Sequence, residues 1–208
     1  MGAKPVFVDI DEDLNINPNL IEKYITKKTK AIMPVHWTGR MCNMQKIKSI
    51  AKKYKLFIIE DAAQGMGSTY KKKHAGLYGD ISAFSTHPLK NLNALGDGGF
   101  IVTNKKKLFD KIKLYRNHGL KGRDNAVEIG VNSRLDSLNA EVLNFRLTKL
   151  NSLINKRQKH INLYKRFIKT DKVRIIEDKK EQKNSHVMFI VLCENRDGLQ
   201  KYLAKFIP

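Results

Sequence analysis

Ser85-Thr-His-Pro-Leu-Lys90-Asn-Leu-Asn-Ala-Leu-Gly-Asp-Gly-Gly99 places one lysine in a turn behind the apolar run Ile81-Ser-Ala-Phe84. A serine lies five residues before the lysine, and a glycine-rich tail follows it. Upstream, a second apolar run, Leu56-Phe-Ile-Ile59, ends in Glu60-Asp61-Ala-Ala-Gln64. Both runs predict strands. The second is continuous, the pattern of a parallel strand covered on both faces. In open α/β sheets ligands bind at the carboxyl ends of the strands. A carboxylate buried there without compensation is costly, so Asp61 needs a cationic or hydrogen-bonding partner. A lysine that forms a Schiff base, an acid that pairs with a pyridinium nitrogen and a hydroxyl that donates to a phosphate together suit pyridoxal phosphate (PLP). The glycine tail does not read as a dinucleotide loop. It lacks the Gly-x-Gly-x-x-Gly spacing and precedes the strand candidate Phe100-Ile-Val102 instead of opening a helix.

Outward from this centre the pattern alternates strands and helices. Val6-Phe-Val8 and Ala31-Ile-Met-Pro-Val35 read as strands. Between them Asn17-Pro18 reads as a helix cap with proline at the first helical position, followed by the stripe Leu20, Ile21, Tyr24 and Ile25. Asp9, Asp11 and Asp13 alternate as in a calcium loop, but Leu14 and Leu20 occupy the positions that need glycine and an acid. No metal site is expected. His36 follows the second strand and is either a ligand contact or a histidine held by loop hydrogen bonds. Ile47, Ile50, Ala51 and Tyr54 have the spacing of a helix face packed on a sheet. Tyr70 to Gly76 reads as a basic hairpin. Leu108, Ile112 and Tyr115 mark a helix ending near Gly119, and a polar loop follows to Glu128. Asp136 to Phe167 contains no Gly or Pro and predicts long helical structure. His186 to Leu192 reads as a strand, and Arg196 to Phe206 as a short helix.

Composition narrows the setting. Hydrophobic residues make up 41% of the 208, enough for a core. No apolar run approaches the ~20 residues that span a bilayer, and no h-region follows a basic start. A cytoplasmic setting is expected, with Cys42 and Cys193 reduced and structural. The net charge of +20 comes from 40 Lys and Arg against 20 acids. The lysines are spread along the chain without interleaved aromatics, so a solvated basic surface is expected and a nucleic-acid partner is not. Steering of an anionic substrate is a secondary use of that charge.

Pro5-Val-Phe-Val-Asp9, Pro34-Val-His36, Glu60 to Gln64, Phe84 to Gly99, Arg116-Asn-His-Gly119 and Gly130-Val-Asn-Ser-Arg-Leu-Asp136 occur in one order across the chain. In that set the chain resembles the DegT/DnrJ/StrS-type PLP-dependent sugar aminotransferases. The resemblance implies an α/β fold of type I, with a mostly parallel sheet, flanking helices and a partial C-terminal α+β small domain. It implies a PLP-binding large domain over 1–135, a helical connection over 136–168 and the start of the small domain over 169–208. Lys90 takes the cofactor lysine's position and the catalytic role; relatives with histidine there act as dehydratases. Asp61, Gln64, Ser85 and Lys90 then hold PLP, and Asn132 reaches the cofactor phosphate of a neighbouring subunit in a homodimer with shared sites. His36, His87 and Arg134 are substrate candidates. The implied reaction moves an amino group from glutamate to a keto group of a nucleotide-linked sugar, for glycan or cell-surface polysaccharide synthesis.

The resemblance also implies a fragment. Family members carry a segment ahead of the block at Pro5, with a Gly-Thr turn for the phosphate, and a fuller small domain. Two other classes compete: an inactive remnant or subunit that needs a separately encoded N-terminal part, and a basic nucleic-acid-binding regulator.

Overall fold

Strand pairing brings the two chemistry-bearing runs side by side. The computed structural model describes residues 2–206; Met1, Ile207 and Pro208, the outer ends of the expected domains, lie outside the described residues. Strand β1 (Ala31–Ile32) leads through helix α1 (Met44–Lys53) to β2 (Phe57–Asp61). A hairpin of β3 (Thr69–Tyr70) and β4 (Lys73–His74) follows, then β5 (Ile81–Ser85) and β6 (Gly99–Val102). The main sheet has the order β1-β2-β5-β6, with its first three strands parallel and β6 antiparallel to β5.

Local chemistry explains these elements. Asn43 caps α1 by accepting from Lys46 N at 3.1 Å. Met44, Ile47, Ile50 and Ala51 form one buried stripe, and Lys52 and Lys53 sit at the negative end of the helix dipole. In the hairpin, Lys71 and Lys72 both have positive φ, the backbone that a tight two-residue turn requires. Side chains alternate across the sheet. Ile58, Glu60, Ser82 and Phe84 are buried with α1, and Phe84 stacks on Phe100 at 4.9 Å.

The other face departs from expectation. Phe57 is 58% exposed and Ile101 50%, while Ile59 and Asp61 are half-buried. The continuous run is therefore covered by this chain on one face only. Val6-Phe-Val8 is not a strand, and Phe7 is 85% exposed, because no strand among the described residues lies beside it to take its backbone groups. Asn17-Pro18 does not cap an α-helix. Asn17 accepts from Asn19 N in a local turn, and only a 3₁₀ turn at Ile21–Tyr24 follows.

Helix α2 (Lys106–Tyr115) matches the sequence pattern. The long helical stretch splits into α3 (Ser137–Leu147) and α4 (Leu150–Phe167). At the break the Thr148 hydroxyl donates to Phe145 O at 2.8 Å, and Thr148 N and Lys149 N bond to the carbonyls three residues back. Such back-bonding competes with the regular ladder. Then come β7 (Val173–Ile175), β8 (Gln182–Lys183), β9 (Val191–Cys193) and α5 (Arg196–Leu203), the last capped by Asn195. β7 and β9 pair with each other, but β8 returns to pair with β3. His186 to Ile190 is not strand; His186 has φ 51° and lies buried, its ring against Gln158 of α4.

Candidate active site

The β2–β5 register sets Asp61 beside Ala83, two residues before Ser85 on the same face. Past these strand ends lies an open cleft of about 690 Å³, lined by Gln64, Ser85, His87, Leu89, Lys90, Asp97, Gly98, Val187 and Met188.

The lysine turn is held by its own backbone and from below. His87 N donates to Ser85 Oγ at 3.2 Å, and Lys90 N to His87 O at 2.8 Å. Leu89 N donates to His87 Nδ1 at 3.1 Å. Thr86 N reaches Gly98 O, and Ala94 N reaches Thr86 O, closing the loop around the lysine. Arg146 of α3 donates to Asn93 O at 2.6 Å, Asn93 Oδ1 at 2.8 Å and Ala94 O at 3.3 Å. Leu92 and Ala94 are buried with Leu143, Leu150 and Ile154, which ties the turn to a second small core.

Four groups are left available to a ligand. Among the described residues Lys90 Nζ has no hydrogen-bond or ion-pair partner, though the side chain is half-buried. Ser85 Oγ accepts from His87 N, which leaves its hydrogen to donate. Gln64 Oε1 accepts from Thr38 N at 2.6 Å, which leaves its NH₂. Asp61 Oδ1 accepts from Ala63 N at 3.0 Å, and its second oxygen has no partner among the described residues. Amine, hydroxyl, amide and carboxylate are the set that PLP requires, so the residues present fit the cofactor. Asp61 does not line the cleft itself but ends the neighbouring strand.

His36 lies elsewhere. It is fully buried, with Nε2 2.9 Å from Glu60 Oε2 and Nδ1 accepting from Cys42 N at 3.3 Å. The Cys42 donor fixes the tautomer: the hydrogen is on Nε2 and points to Glu60. Of the two readings of His36, the structure shows the histidine held by hydrogen bonds. Glu60 also accepts from Gly76 N at 2.9 Å, Tyr78 N at 2.7 Å, Gly79 N and Ser82 Oγ. Burial pushes its carboxyl up, but the bonds from His36, Gly79 and Gly76 outweigh that and hold it below the ordinary range.

His87 Nε2 stands 3.8 Å from Asp97 at the cleft mouth. Asn132 and Arg134 are exposed outside the cleft; Arg134 Nε donates to Asn132 Oδ1 at 3.3 Å, and Asn132 bridges to Asn117. The structure thus gathers Gln64, Ser85, His87 and Lys90, with Asp61 adjacent, and leaves His36, Asn132 and Arg134 apart. Sequence reasoning missed Asp97, Val187 and Met188 in the wall and Arg146 under the turn. An arginine on a helix more than fifty residues away carries no local signal of that contact.

The sequence pattern of the DegT/DnrJ/EryC1/StrS aminotransferase family matches residues 1–206. A pleiotropic regulatory protein of Geobacillus stearothermophilus is 40% identical over 98% of this chain and 56% of its own length. The dTDP-3-amino-3,6-dideoxy-alpha-D-galactopyranose transaminase of Aneurinibacillus thermoaerophilus is 40% identical over the same shares. The crystal structure of S. venezuelae DesV in complex with a ketimine intermediate matches with TM-score 0.94 at 34% identity, over 98% of this chain and 56% of that one. The chain spans a little over half the length of these relatives. PLP is the cofactor of the family, and a Streptococcus pneumoniae protein solved in its PLP form shares the fold, with TM-score 0.90 and 23% identity over 98% of this chain and 59% of that one. The family pattern covers nearly the whole chain, and relatives at 40% identity cover 98% of it, so the chain belongs to the DegT/DnrJ/EryC1/StrS aminotransferase family.

Proposed function

We propose that this protein takes part in PLP-dependent transfer of an amino group from glutamate to a keto group on a nucleotide-linked sugar. The observation that carries the proposal is the unpartnered Lys90 amine in the cleft beside Ser85 and Gln64. The donor leaves as the corresponding keto acid, and the sugar gains the amine. When bound, PLP supplies the electron sink that makes a carbanion at the donor's α-carbon accessible. Lys90 Nζ would hold the cofactor and would take and return the proton as general base and acid. The Asp61 carboxylate would pair with the ring nitrogen, the Ser85 hydroxyl would donate to the phosphate, and the Gln64 amide would donate to the ring oxygen.

His87, at the cleft mouth, contacts substrate. Asn132 and Arg134 are exposed and do not line their own cleft, which suits service to a second subunit in a homodimer. The two free thiols suit a cytoplasmic setting. No helix among the described residues is long and apolar enough to cross a membrane. The open sheet face beside Asp61 favours a second reading of the same site: further polypeptide laid over Phe57 and Ile101 completes it, and without that layer the chain is a pairing subunit.

Titration with PLP, borohydride trapping and peptide mapping test the proposal. A stoichiometric adduct on Lys90, absent from Lys90→Ala, is expected. Adduct undiminished in Lys90→Ala, or scattered over surface lysines, rejects it.

A further inference from the structure

Ser185 is fully buried, and each of its polar groups bonds to a different segment of the chain. Its N–H is shared between Gly39 O at 3.3 Å and Ser68 Oγ at 3.2 Å. Its hydroxyl donates to Gln64 O at 3.0 Å. Its carbonyl accepts from Asn91 Nδ2 at 2.6 Å. Gln64 follows β2, and Asn91 is the neighbour of Lys90 in the turn after β5. One residue from the C-terminal part of the chain therefore spans the two elements that border the cleft.

The fit leaves little play. Gly39 has φ +91°, and a Cβ there would fall on Ser185 Oγ. Asn91 is 4% exposed, and its Oδ1 has no partner, so the bond to Ser185 is the amide's anchor among the described residues. The segment is fixed in turn to α4. Arg157 Nη1 donates to His186 O at 3.1 Å and Val187 O at 3.0 Å, and His186 Nε2 meets Gln158 Oε1 at 2.6 Å. The next two residues, Val187 and Met188, line the cleft.

We infer that Ser185, acting through Asn91, is a positioning residue that sets where Lys90 Nζ stands relative to Gln64 and Ser85. Arg146 holds the far end of the turn at Asn93 and Ala94; Ser185 holds the residue next to the lysine. Misplacement of a reacting group by about 1 Å costs on the order of 100-fold in rate, so an anchor at this point matters to the chemistry. The catalytic consequence rests on the PLP role proposed for Lys90; the mechanical coupling does not.

Two variants test this, each read with and without cofactor. Asn91→Leu keeps the shape and removes the donor. Ser185→Ala keeps the carbonyl that Asn91 uses and releases only Gln64. Without PLP, amide hydrogen exchange over residues 86–92 accelerates about tenfold in Asn91→Leu, while β2 and α1 exchange as in the parent. In Ser185→Ala the acceleration moves to residues 62–66. With PLP, Asn91→Leu raises the dissociation constant about tenfold and shifts the pH midpoint of the bound-cofactor absorbance, which a loss of stability alone does not move. Parent-like exchange, affinity and midpoint in both variants overturn the inference. So does uniform acceleration across the chain with an unmoved midpoint. If the parent forms no adduct on Lys90, the PLP reading falls and exchange alone decides: acceleration confined to the turn upholds the coupling, and unchanged exchange overturns it.

Discussion

The two faces of the main sheet differ in what the chain supplies to them. On the α1 side every strong demand is met from within. Glu60 is fully buried and accepts from His36, Gly76, Tyr78, Gly79 and Ser82. On the other side Phe57 and Ile101 stand exposed, and Asp61 has one oxygen bonded and one open. The same five-residue strand serves both faces, with Glu60 turned one way and Asp61 the other. Adjacent acids thus stand in opposite settings: one is spent on the fold, and the other keeps an oxygen open among the described residues.

Breaking the closed face gives the largest expected effect. Glu60→Ala leaves the buried His36 Nε2–H and Gly76 N–H, and the part-buried N–H groups of Tyr78 and Gly79, without this acceptor. Each buried donor left unsatisfied costs about 1–3 kcal/mol, so a loss of about 3 kcal/mol or more is expected. Urea unfolding monitored by far-UV circular dichroism measures it. A loss below about 1 kcal/mol would show that water reaches these donors, and would erase the contrast between the faces.

The pH dependence of stability sharpens the same contrast at smaller scale. Burial lowers His186 below its ordinary value of 6.5, against the opposing pull of Asp178, while Arg40, Lys165 and Arg157 lower it further. The unfolded chain therefore takes up a proton before the folded one does. The stability this neutral histidine contributes is present above about pH 6.5 and is lost as pH falls below it. Glu60 is lowered from 4.5, so its contribution is present above that value and is lost as pH falls further, through its folded value. Urea midpoints between about pH 8 and pH 3 should fall in two windows, and His186→Asn should flatten the upper one only. A single fall below about pH 4.5 would exclude the histidine.

How much of this was legible followed the range of the contacts. The runs at Leu56 and Ile81, the lysine turn, α1 and the Tyr70–Gly76 hairpin were readable because periodicity and turn chemistry act within a few residues. Gln64, Ser85, His87 and Lys90 meet in one cleft because strand ends place them there, which the sequence also signals. The partner of His36 lies 24 residues away, and that of Asn91 lies 94 away. No local pattern encodes either. The split at Thr148 failed for a related reason: a single threonine hydroxyl turned back on Phe145 outweighs the absence of Gly and Pro. Val6-Phe-Val8 has the composition of a strand, but a strand exists only beside a partner.

The smallest expected effect comes from the open face. Phe57→Ser removes a ring that is 58% exposed and over which Lys105 Nζ stands 5.5 Å from its centroid. An exposed cation–π contact is worth about 0.5–1 kcal/mol, and surface substitutions elsewhere change stability by about 0.5 kcal/mol or less. Unfolding free energy should therefore fall by no more than about 1 kcal/mol. Exposed apolar patches of this kind drive association, so sedimentation at increasing concentration should show less self-association in the variant than in the parent. If Phe57→Ser instead costs as much as a core truncation, about 3 kcal/mol or more, the ring is covered in solution. The face is then already occupied, and Asp61 has its surroundings completed before any cofactor arrives.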